Sequence, residues 1–296
     1  MNRGYKLILA TALISGLSVY FNKFGVSVSN PYIFTGLKNA LVVLFIVLAI
    51  AGTKKFAEVK KLRRQQWLSL LLLGLVGGGV PFLLFFKGLS LTSAAQGAFI
   101  HKTMFVWVAI LALVFLKEKI NRWTYFGLAS LVVGLVLMFK IAPQGLHLGD
   151  GLILLATLLW AGEQIIAKKV LRSVSPLLAS WGRMFFGLII IFGFWTMTNQ
   201  LPALAHLTWP QIQWTIVTSL FLFGYVVTWY SGLRYIPAAV AASILALGFP
   251  ITVFCQLVID RQIPSWSQTA GNFVVLASLA LIFLVNRQKQ IKSAKV

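Results

Sequence analysis

The chain of 296 residues is 59% hydrophobic and only 10% charged, with a mean hydropathy of +0.89 and 26 Lys plus Arg against 5 Asp plus Glu. Soluble domains carry roughly 25% charged residues, so this composition excludes a water-soluble fold and requires much of the exterior to face lipid. The formal net charge of +21 raises nucleic acid as a partner, a reading that depends on where the cations sit.

Ten apolar windows of membrane-spanning length follow one another, at about 7–26, 32–51, 67–86, 93–116, 123–139, 151–167, 177–195, 212–233, 238–259 and 267–285. The first has Arg3 and Lys6 ahead of it but runs the full length of a span and lacks a small-x-small cleavage site, so it reads as a retained helix. The runs are continuous rather than alternating, which excludes a β-barrel. The connections leave no room for a soluble enzymatic domain, and no enzyme activity is expected. Trp67, Trp123, Trp209, Trp214 and Trp266 fall near helix starts, where an indole suits the interface. The single Cys255 lies in an apolar run, so a cysteine-based metal or redox site is excluded; no cofactor or metal is expected.

With a cytoplasmic N-terminus and alternating sides, Lys23, Lys87, Lys140 and Arg261 fall on the outer side, and Lys38, Lys102 and Arg183 fall inside helices. Every other Lys and Arg, including the cluster Lys54 to Arg64, falls on the cytoplasmic side. The positive-inside rule therefore supports an even helix count and an inner-membrane protein with both termini cytoplasmic. Topology absorbs most of the basic charge, and nucleic acid is discounted.

The two halves repeat. At a spacing of 144, Gly88-Leu89 falls on Gly232-Leu233, Ala94-Ala95 on Ala238-Ala239, Phe105 on Phe249 and Gly127 on Gly271. Nearer the start the spacing drifts, and Pro31 with Lys38 seven residues on matches Pro176 with Arg183 seven residues on. Five helices per half force the second half to enter the membrane upside down, an inverted repeat with a site expected near the midplane. The fold class expected is all-α: ten transmembrane helices as two inverted five-helix repeats, 1–141 and 149–287, with a basic tail at 288–296.

The segment Gly88-Leu-Ser-Leu-Thr-Ser-Ala-Ala95, followed by Phe115-Leu-Lys-Glu118 and Gly127, and its second copy from Gly232-Leu-Arg-Tyr-Ile-Pro-Ala-Ala239 through Pro250 to Gly271, resemble the EamA-type branch of the drug/metabolite transporter superfamily. The resemblance covers essentially the whole chain. It implies a secondary transporter of small metabolites working by alternating access, with export the direction the family suggests. Two departures stand out: the glutamate after the fourth helix of a repeat is Glu118 in the first copy but Gln262 in the second, with Asp260 nearby, and Pro250 has Val106 as its counterpart.

Ionisable residues inside helices cost roughly 2.5–3.5 kcal/mol each on insertion scales and are functional candidates by default. Here they are Lys38, His101, Lys102, Glu163 and Arg183. At about 1.5 Å per residue, Glu163 and Arg183 sit roughly 6 and 9 Å deep from the inner side, which suggests an ion pair; Lys38 and Lys102 sit roughly 9 and 13 Å deep from the outer side. The alternatives are a Glu163–Lys102 pair, snorkelling of Lys38 and Lys102 to the interface, and a purely packing role for Glu163–Arg183. Three cations against one anion suit an anionic or zwitterionic small-molecule substrate, such as an amino acid or organic acid. Glu163 is the candidate for proton coupling, since alternating exposure would switch its protonation. Trp160, Tyr225 and Trp107 are candidate cavity aromatics, and Pro250 is a candidate gating kink. Gly74 and Gly78, before Pro81, suit close helix contact. A lipid or lipid-headgroup flippase or transferase using the basic cavity is the alternative function. The bilayer is the partner the composition demands, and a homodimer is compatible with it.

Overall fold

The computed structural model describes residues 3–89, 91–92, 94–139 and 147–293, with the side chains of 94, 95 and 287–293 left out of the description. Ten helices have the length and apolarity to cross a membrane: α1 (Arg3–Ser27), α2 (Pro31–Gly52), α3 (Arg64–Leu89), α4 (Gln96–Phe115), α5 (Arg122–Phe139), α6 (Leu148–Val170), α7 (Pro176–Met197), α8 (Trp209–Leu233), α9 (Ala238–Ile259) and α10 (Trp266–Ser293). Each expected window is found, extended by zero to four residues at most ends. The largest extension is at the tail, where α10 continues through much of the stretch read as a basic extension. Lys140 and residues 294–296 lie outside the described residues. An even count returns the chain to the face where it began. That face also holds the Lys54 to Arg64 cluster, and we call it the basic face and the other the far face.

Local sequence explains the regular parts. Pro31 opens α2 and Pro176 opens α7, each at a position where the missing N–H costs no intrahelical bond. Asn30 caps α2 by accepting from the Tyr32 N–H at 2.9 Å. Three helices are irregular. A π-helical stretch, Gly74–Gly79, interrupts α3. The fourth helix of each repeat is broken at matching places: α4 between Lys102 and Met104, and α9 by a 3₁₀ turn at Leu245–Leu247. Pro250 fits the second break, because its ring crowds the Ala246 carbonyl and offers it no donor. The first break has no proline, and there the Thr103 hydroxyl donates to the Ile100 carbonyl at 2.6 Å. Helix α9 is thus interrupted just before Pro250, and the matching break in α4, which has no proline, ties the interruption to the repeat as well.

Packing follows the inverted repeat. The close pairs include α3 with α7, α5 with α10, α1 with α8, and α3 with α6. In the last pair a Cβ on Gly149 would stand 2.6 Å from the Gly88 carbonyl, so only glycine permits that approach. On the basic side the end segments of α9 (Ala238–Ile244) and α4 (Met104–Phe115) pack together; toward the far face the two helices part around a cavity.

Candidate functional site

The cavity between the repeats has a volume of about 710 Å³ and draws its walls from α1, α2, α3, α4, α8 and α9. Its surface is mostly apolar and includes six phenylalanines, Phe34, Phe82, Phe85, Phe86, Phe105 and Phe249, and its cations are Lys23, Lys38 and Lys102. No carboxylate lines it among the described residues. The Lys38 ammonium donates to the Asn22 side-chain carbonyl at 2.7 Å and lies 5.0 Å from the Phe34 ring centre. The Lys102 ammonium lies 4.3 Å from the Phe249 ring centre, a cation–π contact. Both interior lysines are therefore held by neutral groups. A carboxylate or phosphate entering here would bring the opposite charge that none of those groups supplies.

His101 and Tyr225 also line the cavity. The His101 ring packs edge-on against Trp160 and Phe85, at 4.9 and 5.2 Å between centres, and its Nδ1 is buried without a hydrogen-bond partner among the described residues. Trp160 itself stands behind the wall, 7% exposed, with its Nε1–H donated to the Gly77 carbonyl at 3.1 Å. Trp107 gives its indole N–H to Thr103 at 3.2 Å and does not line the cavity. Neither indole is the cavity aromatic expected from sequence, because helix spacing alone does not say which side of a wall a ring occupies.

Glu163 and Arg183 form a separate, buried layer. Arg183 Nε lies 3.9 Å from a Glu163 carboxylate oxygen, and the two residues are 8% and 4% exposed. Tyr230 donates its hydroxyl to that same carboxylate oxygen, and Arg183 Nη2 donates to the Gly77 carbonyl at 3.1 Å. Gly77 accepts from two side chains because Pro81, four residues on, lacks the N–H that would close the helical bond. The glycines of the π-helical stretch admit α7 at backbone distance: a Cβ on Gly78 would collide with the Arg183 carbonyl. Lys102 is on Phe249, so the alternative Glu163–Lys102 pair is not formed. Glu163, Arg183 and Pro250 do not line the cavity.

A family model described as the EamA-like transporter family matches residues 2–140 and again 147–284. The chain belongs to that family. A transporter encoded in a cobO 3′ region of Sinorhizobium sp is 31% identical over 130 residues, 44% of this chain and 92% of its own length. The riboflavin transporter ImpX of Fusobacterium nucleatum is 26% identical over 83% of this chain and 86% of its own. YyaM of Bacillus subtilis, named an uncharacterized transporter, is 23% identical over 93% and 92%. A solved crystal structure superposes with a TM-score of 0.72 over 97% of this chain and 96% of that one, at 16% identity, and shows the same fold.

Polar clusters at both faces of the transporter escaped sequence reasoning. On the basic face Lys168 Nζ donates to the carbonyls of Leu233, Arg234 and Ile236, at 2.6, 3.3 and 2.7 Å. Beside it the Glu118 carboxylate accepts from the Ala238 and Ala239 N–H groups, at 2.7 and 3.2 Å. Lys168 thus binds the negative end of α8, and Glu118 the positive end of α9. Counting cations for topology hid the role of Lys168, while Glu118 stood out in sequence only as the glutamate of the resemblance, without its partners. On the far face Asp260 accepts from Lys23 Nζ at 2.5 Å and from the Tyr20 hydroxyl at 2.6 Å. These two donors, Lys23 foremost, hold the Asp260 carboxyl below its ordinary value.

Proposed function

We propose that this transporter moves a small anionic or zwitterionic metabolite, such as an amino acid or organic acid, through the central cavity by alternating access between its two repeats. The observation that carries the reading is the pair of interior lysines, Lys38 and Lys102, facing one aromatic cavity with only neutral groups against their ammoniums. The aromatic lining suits a substrate with an apolar or planar body, and one relative is named a riboflavin transporter. Positive-inside asymmetry supports placing the basic face at the cytoplasm of the inner membrane. The cavity then opens outward, and the Glu163–Arg183–Tyr230 layer with the Lys168 and Glu118 contacts seals the inner side. Glu163 is the interior carboxylate to which we assign proton exchange, and export is the direction the family resemblance suggests.

Lys102→Ala tests the site. Losing one charge-assisted hydrogen bond, of roughly 1.5–3 kcal/mol, weakens substrate binding by about 10- to 100-fold, read as the concentration giving half-maximal exchange in proteoliposomes. Unchanged affinity and turnover in the folded variant would show that the cationic site is wrongly assigned.

A further inference from the structure

The polar clusters at the two faces are related by the inverted repeat, yet they are wired differently. Gly4 faces the Gly232 carbonyl as Gly149 faces that of Gly88, which sets α1 on α6 at a spacing of 145 and places Lys23, at the far-face end of α1, on Lys168, at the basic-face end of α6. The spacing of 144 that holds farther along places the end of α3 at Leu89 on the end of α8 at Leu233. The surrounding packing obeys the same relation, since α3 lies against α6 as α8 lies against α1. On the basic face, where α4 and α9 are packed together, Lys168 spans to the carbonyl end of α8. On the far face, where they part, the bond Lys23 makes among the described residues goes to Asp260 instead of α3. Asp260 has an apolar counterpart, Leu116, in the other repeat, so the far face carries an anion that the basic face lacks at this position.

We infer that Lys23 is the mobile half of a far-face gate: Asp260 holds it aside while the cavity is open, and on closure it moves to the carbonyl end of α3 as Lys168 does to α8. The inference rests on the alternating-access reading. Physically, a lysine ammonium gains at a helix C-terminus from carbonyls left without intrahelical donors. It gains at Asp260 from a short ion pair braced by Tyr20. Two such sites of comparable strength give one cation two positions, and the competing acid biases the open one. Lys23 and Asp260 act here as positioning residues, since neither has to touch the substrate for the gate to work.

The test is accessibility of the cavity from the far face. In full-length protein in nanodiscs, with Cys255→Ser removing the native thiol, a reporter Ala98→Cys on the cavity wall is labelled with a charged maleimide. Asp260→Ala and the isosteric Asp260→Asn are both expected to slow labelling by about threefold, in keeping with the modest worth of a part-exposed ion pair. Adding Lys23→Met to either restores the parent rate, because the latch itself is then gone, and Asp260→Glu keeps it. A second reporter, Ala241→Cys, sits buried in the basic-face seal; it gains labelling when Lys168→Met is introduced. Unchanged or faster Ala98→Cys labelling in the Asp260 variants, or slowing that persists after Lys23→Met, would overturn the gate. Counterflow on the same preparations separates the two failures: solute exchange with no change in labelling refutes the gate alone, and absence of any solute exchange refutes the transport reading beneath it.

Discussion

A carboxylate and a guanidinium withdrawn from water persist only when each is compensated, because the desolvation cost of an unpaired buried ion reaches several kcal/mol. Glu163 has Arg183 and the Tyr230 hydroxyl; Arg183 has Glu163 and the Gly77 carbonyl. Glu163→Gln preserves the shape and the bond from Tyr230 while removing the titrating group. We expect it to fold and to transport at a rate that no longer responds to an imposed pH gradient, measured as initial uptake with and without the gradient; a retained response would take Glu163 out of the coupling mechanism. Much of this layer was legible, because counting residues from helix ends put Glu163 and Arg183 at comparable depths. Tyr230 was not, since a buried tyrosine in an aromatic-rich helix carries no spacing signal of its own. Lys168 was hidden for a different reason: near a helix end, a lysine that sets topology and one that binds a neighbouring helix look alike in sequence.

At the scale of elements, α3 shows how a local defect builds a site. Pro81 denies the Gly77 carbonyl its helical donor, the glycine run lets the turn widen to π geometry, and α7 closes on the gap. The GxxxG spacing of Gly74 and Gly78 announced a close contact, and it is one. Gly78→Ala forces a methyl into the Arg183 backbone and is expected to destabilise the protein by about 1–3 kcal/mol, seen as a lowered melting temperature in detergent. A melting temperature equal to the parent's would mean that α3 and α7 are not in backbone contact. The paired breaks in α4 and α9 were half legible. Pro250 marked one, but the Thr103 break has only a hydroxyl and a neighbouring repeat to explain it, and neither stands out in a single helix. The gate inferred at Lys23 belongs to this scale too, because it depends on which helix end a lysine can reach.

For the whole molecule, the charge that first suggested nucleic acid resolves into topology and a small functional remainder. Ten helices, their order and the repeat were readable because apolar length, cation asymmetry and matched Pro and Gly positions are properties of the chain alone. The cavity was readable only as a list of ionisable residues; which of them share one space depends on how six helices tilt, and Glu163 proved to stand below that space, outside its lining. The central claim, that two lysines in an aromatic cavity bind the anionic group of a transported metabolite, is tested most directly by counterflow in proteoliposomes. A panel of carboxylates and amino acids is run beside labelled lipids, with parent protein and a Lys38→Gln, Lys102→Gln double variant. The account predicts exchange of at least one soluble anion by the parent and its loss in the double variant. Movement of lipid with no exchange of any soluble anion, or exchange that survives in the double variant, would contradict it.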